Sequence, residues 1–157
     1  MVPSLLFDIS DIDLNQIQIG TQEIERVNPH RGAMRMLDGI IWANETLDRA
    51  VAFKDVRADE FWVPGHIPGR PIFPGVLQIE AAAQLASYMF LCRLEGQRFM
   101  GFAGVDDVKF RGQVVPGDRL LLLGVEIECR PRRSICALQG LVRGTMVFEA
   151  RITGMPM

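Results

Sequence analysis

The sequence has 157 residues, of which 48% are hydrophobic and 23% are charged, which excludes a disordered or fibrous chain and predicts one globular domain over residues 1–157. Its formal net charge of −2 gives no reason to expect nucleic acid as a partner, because phosphate binding needs concentrated lysine and arginine. Residues 1–16 have acids where a secretory signal would have basic residues, and no sustained apolar run follows. We therefore expect a cytoplasmic protein without a membrane span.

The predicted elements begin with an N-terminal arm over residues 1–20, which we expect to be loosely docked. Thr21 is predicted to cap a short helix that runs to Val27, where the pair Asn28-Pro29 stops it. A longer helix is expected from Pro74-Gly75 to about Glu95-Gly96. Strand-like patterns cover residues 37–43, 49–56, 101–110, 121–129, 134–143 and 146–152. One long helix amid five or six antiparallel strands predicts an α+β domain whose sheet wraps the helix.

The alternation from residue 121 to residue 129 predicts one apolar face on its strand. The apolar positions are Leu121, Leu123, Val125, Ile127 and Cys129, and Glu126 and Glu128 point to the other face. The three cysteines, Cys92, Cys129 and Cys136, have no metal-ligand spacing, and no metal site is expected. Cys129 and Cys136 are interpreted as two small buried side chains, although a hairpin could also place them opposite each other.

The sequence GHIPGRPIFPGVLQIE over residues 65–80 places one of only two histidines in a loop rich in glycine and proline. These residues remove backbone freedom around His66 and would hold its imidazole in one orientation, which suits proton abstraction. The alternative is a surface histidine that only forms hydrogen bonds. Gly75 follows at the start of the helix, where unpaired N–H groups and the helix dipole attract negative charge. A substrate oxygen could approach Gly75 closely because no side chain is in the way.

Glu80 is the only formally charged residue between Pro71 and Cys92, in a segment that is apolar on nearly every side. A buried carboxylate is costly unless it is paired or protonated, and a carboxyl group that can hold a proton is what a general acid requires. The alternative is that Glu80 reaches the surface or pairs with an arginine such as Arg70. A base, an acid and a backbone anion site together suit removal of a proton next to a carbonyl, followed by loss of an oxygen substituent.

The run GHIPGRPIFPGVLQIEAAAQ resembles the signature of the 3-hydroxyacyl-[acyl carrier protein] dehydratases of type II fatty acid synthesis, which have the hotdog fold. Upstream, NPHRGAMRMLDGI is similar to a second motif of this family, and VKFRGQVVPGDRL downstream is similar to a third. The resemblance spans about residues 28–152. It implies a lyase with an antiparallel β-sheet wrapped around one long central helix.

The resemblance also implies a role for each site residue. His66 would be the base that takes the C2 proton of a (3R)-hydroxyacyl thioester, and Glu80 the acid that protonates the departing C3 hydroxyl. The Gly75 N–H would bind the thioester oxygen, and the product would be the trans-2-enoyl thioester. In the family, the histidine and the glutamate meet from different subunits of a homodimer, often within a trimer of dimers. The substrate is carried on the phosphopantetheine of acyl carrier protein, and no further cofactor is implied.

This sequence departs from the family pattern near the substrate entrance. Ile67 replaces the usual Phe beside the base, and residues 32–35 replace a more aromatic, proline-containing run. Glu80 stands where the dehydratase-isomerase relatives have Asp, which favours dehydration without double-bond isomerisation. Two other functions fit the same fold: a thioesterase in which Glu80 activates water, and a non-catalytic acyl-binding subunit.

Two further features have open interpretations. His30 is interpreted as a structural residue near the mouth of the site rather than as a second catalytic group. The basic run Arg130–Arg133, with Lys109, Arg111 and Arg119, is either a solvated hairpin tip or a docking surface for an acidic carrier protein.

Overall fold

The structure is a computed structural model that describes residues 4–96 and 99–157. Within these residues the helices are α1 (Thr21–Val27) and α2 (Gly75–Leu91), with a 3-10 turn at Gly32–Met34. The strands are β1 (Gly39–Ala43), β2 (Arg49–Asp55), β3 (Met100–Phe110), β4 (Arg119–Arg130), β5 (Arg133–Val142) and β6 (Thr145–Pro156). None of the helices formed by these residues has the length and apolarity that a transmembrane span requires.

All six strands form one antiparallel sheet in the order β1-β2-β4-β5-β6-β3. Helix α2 packs against the inner face of this sheet, and the largest hydrophobic cluster lies between them. Gly124 of β4 allows this close packing, because a Cβ there would lie 3.1 Å from the Met89 sulfur and 3.3 Å from a Leu85 methyl group. The predicted α+β class, with a sheet wrapped around a central helix, is confirmed.

The helix boundaries differ from the predicted ones in two places. Helix α2 ends at Leu91 rather than near Glu95-Gly96, because Leu94 N–H donates to the Leu91 carbonyl in a tighter turn (3.1 Å). Gly96 has φ +89° but lies beyond this turn. Thr21 is not a cap: it is the first helical residue, and Gly20 precedes it without a side-chain cap.

The N-terminal arm, of which residues 1–3 lie outside the described residues, covers the outer face of the sheet from Ser4 onward. Its apolar side chains, Leu6, Phe7, Ile9, Ile12 and Leu14, pack against the second hydrophobic cluster, formed by Ile41, Val51, Phe53, Leu123, Leu141 and Met146. The Gln139 side chain accepts from Leu6 N–H (2.9 Å) and donates to the Ser4 carbonyl (3.0 Å). Ile19 pairs with Ile40 along the edge strand β1. The expectation of a loosely docked arm was therefore wrong, because the arm buries apolar surface and pairs a sheet edge.

The arm also changes the interpretation of β4. Leu122 is buried against helix α2, and its neighbour Leu123 is buried under the arm. The first half of the strand is therefore apolar on both faces, where the sequence predicted one apolar face. Cys136 is buried as predicted, but Cys129 is exposed. The two cysteines are not opposite each other, because Cys129 pairs with Ser134 across the hairpin.

Candidate active site

His66 lies in the loop between β2 and α2, where two backbone carbonyls hold it. Its N–H donates to the Trp62 carbonyl (2.7 Å), and its ring Nδ1 lies 2.7 Å from the Ile72 carbonyl. A carbonyl oxygen can only accept, so Nδ1 must carry the proton of this bond. The neutral ring then has its free lone pair on Nε2, which is the state that a general base needs.

The backbone after His66 turns sharply. Ile67 has φ +64° and Gly69 has φ +82°, and Arg70 N–H closes the turn on the Ile67 carbonyl (2.9 Å). Glycine adopts this conformation without cost, but for a β-branched residue such as Ile67 it is a strained outlier. The surrounding structure must therefore hold the loop in this conformation.

Gly75 begins helix α2. Its N–H donates to no protein acceptor within residues 4–96 and 99–157, so it is available to an external oxygen. A Cβ at this position would lie 2.8 Å from the Phe110 ring, so any larger residue would have to displace this half-exposed side chain. An apolar groove is lined by Phe61, Trp62 and His66 of the loop and by Pro74, Val76 and Leu77 at the start of α2.

Glu80 has two polar neighbours. Its Oε1 accepts a hydrogen bond from Gln84 Nε2 (2.8 Å) and lies 3.4 Å from His30 Nε2. Within the described part of the chain, both contacts are made by Oε1, so Oε2 is available to a substrate. The side chain is 27% exposed, so it is less buried than the apolar helix suggested, and within the described chain Arg70 is not its partner.

Gln84 is a functional residue that the sequence reasoning missed. Its side chain is buried, donates to the Met34 carbonyl (2.7 Å) and accepts from Met36 N–H (2.9 Å) in addition to its bond with Glu80. It therefore ties Glu80 to the segment before β1. The available signal was an amide four residues after Glu80, which places both side chains on the same face of a helix.

His30 lies next to Glu80, a position that agrees with its interpretation as a structural residue near the mouth of the site. Burial lowers the pKa of His30 and the Arg31 charge adds to this effect, although the nearby Glu80 carboxylate opposes it. The imidazole is therefore neutral near pH 7.

The lowered pKa of His30 predicts how the stability of the fold depends on pH. Between the folded-state pKa and about 6.5, the unfolded chain binds more protons at this residue than the folded one, so stability falls as the pH is lowered through this range. Thermal unfolding between pH 7.5 and 5 should show a smaller loss of Tm in His30→Gln than in the original chain. Parallel Tm curves for the two proteins would contradict this role of His30.

Among the described residues, the predicted site residues do not line one cavity. His66 lines the apolar groove together with Pro74 and Val76, the chain neighbours of Gly75, whereas Glu80 and His30 line a separate cavity of about 60 Å³ between α2 and strands β3, β5 and β6. Strand β3 forms the edge of the described sheet beside this cavity. None of its residues is fully buried, and Phe102 and Phe110 are each 50% exposed.

The predicted basic surface is largely neutralised by acidic neighbours. Arg130 and Arg133 both pair with Glu128, and Arg119 forms two hydrogen bonds with Asp55 (2.6 and 2.8 Å). Lys109 and Arg111 share Glu149 in the same way. These contacts favour the interpretation of a solvated surface over that of a strongly positive docking site.

Comparison with known proteins decides the family. The family model for the FabA-like domain matches residues 28–151. The chain belongs to the FabA-like family. The predicted resemblance to the dehydratases is thereby confirmed, and the matched part contains the His66 loop, helix α2 and the whole Glu80 network.

Relatives of this FabA-like chain are similar over most of its length. A 3-hydroxyacyl-[acyl-carrier-protein] dehydratase FabZ of Syntrophomonas wolfei is 41% identical over 112 residues, which cover 69% of this chain and 76% of the relative. A protein with the same name from Bacillus velezensis is 38% identical over 138 residues, or 86% of this chain and 96% of the relative.

A solved structure, the dehydratase heterocomplex ApeI:P from Xenorhabdus doucetiae, supports the fold of the FabA-like chain. It superposes with a TM-score of 0.72 at 17% identity, covering 85% of this chain and 90% of the other. This similarity confirms the predicted hotdog fold.

Proposed function

We infer that the chain catalyses dehydration of a (3R)-hydroxyacyl thioester to the trans-2-enoyl thioester, as a 3-hydroxyacyl-[acyl carrier protein] dehydratase. The observation that carries this inference is the groove that His66 lines together with Pro74 and Val76, the two chain neighbours of Gly75, whose N–H has no acceptor among the described residues. A base and a backbone oxyanion donor near the same groove suit abstraction of a proton next to a thioester carbonyl. The names of the curated relatives agree with this reaction.

The reaction then uses the three residues in sequence. The thioester oxygen accepts from Gly75 N–H, and His66 Nε2 removes a C2 proton. The C–H electrons form the C2–C3 double bond while the C3–O bond breaks, and Glu80 protonates the departing hydroxyl to give water. Gln84 holds Oε1 of Glu80, so the proton is delivered from Oε2. Transfer of the proton from His66 back to Glu80 through water restores both groups.

We propose that the complete site forms between two copies of the chain, with His66 opposite the partner subunit's Glu80. The support is the separation of His66 and Glu80 into different cavities. Strand β3 also presents an exposed sheet edge of 11 residues with two exposed phenylalanines, which favours pairing with another chain. Pairing with β3 of the second copy would bury this edge and extend the sheet. Light scattering coupled to gel filtration would distinguish a monomer, a homodimer and a trimer of dimers.

The proposed substrate carrier is acyl carrier protein, which the names of the relatives give for those proteins, and the family resemblance implies its phosphopantetheine as the point of attachment. Comparing turnover of the same 3-hydroxyacyl group on acyl carrier protein and on coenzyme A would test this proposal. The cytoplasmic location stays a prediction, which fractionation of cells that produce the chain would check.

The cavity beside Glu80 is proposed to receive the acyl chain. Ala83 and Ala86 of α2 form part of its wall, and their small side chains leave the space open. Ala86→Leu should therefore lower kcat/KM for long acyl chains by about tenfold or more, because a pocket distinguishes substrates by single methylene groups. A short-chain substrate is the internal control and should be turned over nearly as before. An equal effect on all chain lengths would contradict this placement of the acyl chain.

One assay tests the function itself. The protein is incubated with 3-hydroxyacyl thioesters and with simple acyl thioesters, and enoyl product and free thiol are measured. Enoyl formation supports the dehydratase, thiol release without enoyl product would identify a thioesterase, and binding without turnover would identify an acyl-binding subunit. Absence of enoyl product with every chain length and both carriers would overturn the proposed function.

A further inference from the structure

A buried ion pair lies beneath the loop that carries His66. Lys54 Nζ, from the end of β2, is 3.0 Å from Glu60 Oε2, and the two side chains are only 3% and 7% exposed. We call Lys54 and Glu60 the buried pair. The mechanism above makes no use of it, although burying two charges is costly unless each is well satisfied.

Glu60 is satisfied by three donors. Its Oε1 accepts from Arg57 N–H (2.8 Å), and Oε2 accepts from Trp62 Nε1 (3.1 Å) in addition to Lys54. Burial raises the pKa of Glu60, but the hydrogen bonds from Arg57 N–H, Lys54 and Trp62 outweigh this effect, so the pKa lies below its usual value. The Glu60 carboxylate is therefore ionised and accepts from three donors: Arg57 N–H, Trp62 Nε1 and Lys54 Nζ.

Both hydrogen bonds of His66 lead back to the buried pair. The carbonyl that accepts from His66 N–H belongs to Trp62, whose ring donates to Glu60. The carbonyl that holds Nδ1 belongs to Ile72, and the adjacent Phe73 ring lies 5.5 Å from both Lys54 Nζ and the Trp62 ring.

Each of the two carbonyls that hold His66 is therefore linked to the buried pair through one aromatic side chain, Trp62 for the backbone N–H and Phe73 for Nδ1. An apolar pair of similar volume would often stabilise a fold equally well, so stability alone does not explain two buried charges. The hydrogen bonds that Glu60 accepts from Arg57 N–H and Trp62 Nε1 are directional, a role that an apolar pair could not fill.

We propose that Lys54 and Glu60 are positioning residues for His66. The pair fixes Trp62 and Phe73, and through them it keeps Nδ1 on the Ile72 carbonyl and Nε2 free for the substrate. This inference rests on the proposed role of His66 as the base.

Four variants of the buried pair test the proposal. Glu60→Gln removes one charge, and the double variant Lys54→Met/Glu60→Gln replaces both with neutral side chains of similar size, so that no unpaired charge remains buried. We expect kcat to fall about 10- to 100-fold with little change in KM, because a displaced base slows chemistry more than it weakens binding. Lys54→Arg keeps a cation beside Glu60 and should retain more activity than Lys54→Met.

Glu126→Gln is the matched control. Glu126 pairs with Arg93 at the far end of α2, and its side chain is 6% exposed, close to the 7% of Glu60. We expect this variant to lose stability but to keep kcat. An equal loss of kcat in Glu126→Gln would show a general effect of breaking ion pairs and would overturn the proposal.

A second readout does not depend on turnover. The chain has only two histidines, so ¹⁵N NMR can follow the tautomer of His66 directly. The original chain and Glu126→Gln should show the Nδ1–H tautomer at His66, and the buried-pair variants should show a mixture. If the double variant is folded with an unchanged tautomer and unchanged kcat, the proposal is wrong. The tautomer of His66 can be measured even if the original chain forms no enoyl product. Failure of the proposed function can therefore be distinguished from failure of the positioning role of Lys54 and Glu60.

Discussion

His66→Ala should reduce kcat for dehydration by about 10²–10⁴-fold, the usual contribution of a general base. The side chain is exposed, so its removal leaves no cavity in the core and should change the midpoint of thermal unfolding little. Enoyl formation, followed by absorbance, and Tm would be measured on the same preparations. Loss of activity without loss of stability is the signature expected of a residue that acts in the chemistry.

Asp59→Asn is a suitable control for His66→Ala. Asp59 lies in the same connection between β2 and α2, and its side chain is 84% exposed. This variant should keep both kcat and Tm close to those of the original chain. A His66→Ala protein that retains most of its dehydration activity would remove His66 from the mechanism.

Glu80→Gln should lower kcat by a similar factor, about 10²–10⁴-fold, because an amide cannot protonate the departing hydroxyl. The replacement has the same shape, and its carbonyl oxygen can still accept the hydrogen bond from Gln84. The fold around Met34 and Met36 should therefore persist, and crystallography or Tm would verify this.

Substrate binding by the Glu80→Gln protein gives a further check. Removal of the acid should slow the dehydration of 3-hydroxyacyl substrates but leave their binding nearly unchanged. Equilibrium binding to the inactive variant would show this. Dehydration at the original rate by a folded Glu80→Gln protein would mean that another group protonates the hydroxyl.

The local parts of the site could be predicted from the sequence because they lie in one continuous motif. The histidine in a stiff loop, the glycine at the helix start and the lone glutamate on an apolar helix all occur within residues 65–80. Their chemistry depends mainly on residue type and order, and the family resemblance added the roles. The central helix and the antiparallel strands followed from periodicity in the same way.

The remaining features depend on contacts between distant parts of the chain. Docking of the arm on the sheet joins Leu6 to Gln139, 133 positions apart, and no local pattern indicates that contact. The partners of Glu80 were missed because Gln84 looked like one polar residue among several on the helix. The pairing of Lys54 with Glu60 has no local sequence signal, because only the fold buries the two side chains together.

The separation of His66 from Glu80 matters most for function. A spacing of 14 positions in one motif suggests that the two side chains act together, yet within one chain they line different cavities. Sequence spacing cannot distinguish a site within a subunit from one shared by two subunits. Under the proposed mechanism, joint action of His66 and Glu80 on one substrate requires a site shared by two subunits.

Mixing the two inactive variants tests this requirement most directly. His66→Ala and Glu80→Gln proteins are unfolded together, refolded as an equal mixture and assayed for enoyl formation, with mass spectrometry of intact complexes to verify mixed dimers. Half of the dimers should be mixed and one of their two sites should be complete, so about a quarter of the original activity should return. Mixed dimers that remain as inactive as the separate variants would show that His66 and Glu80 do not act together across a subunit interface.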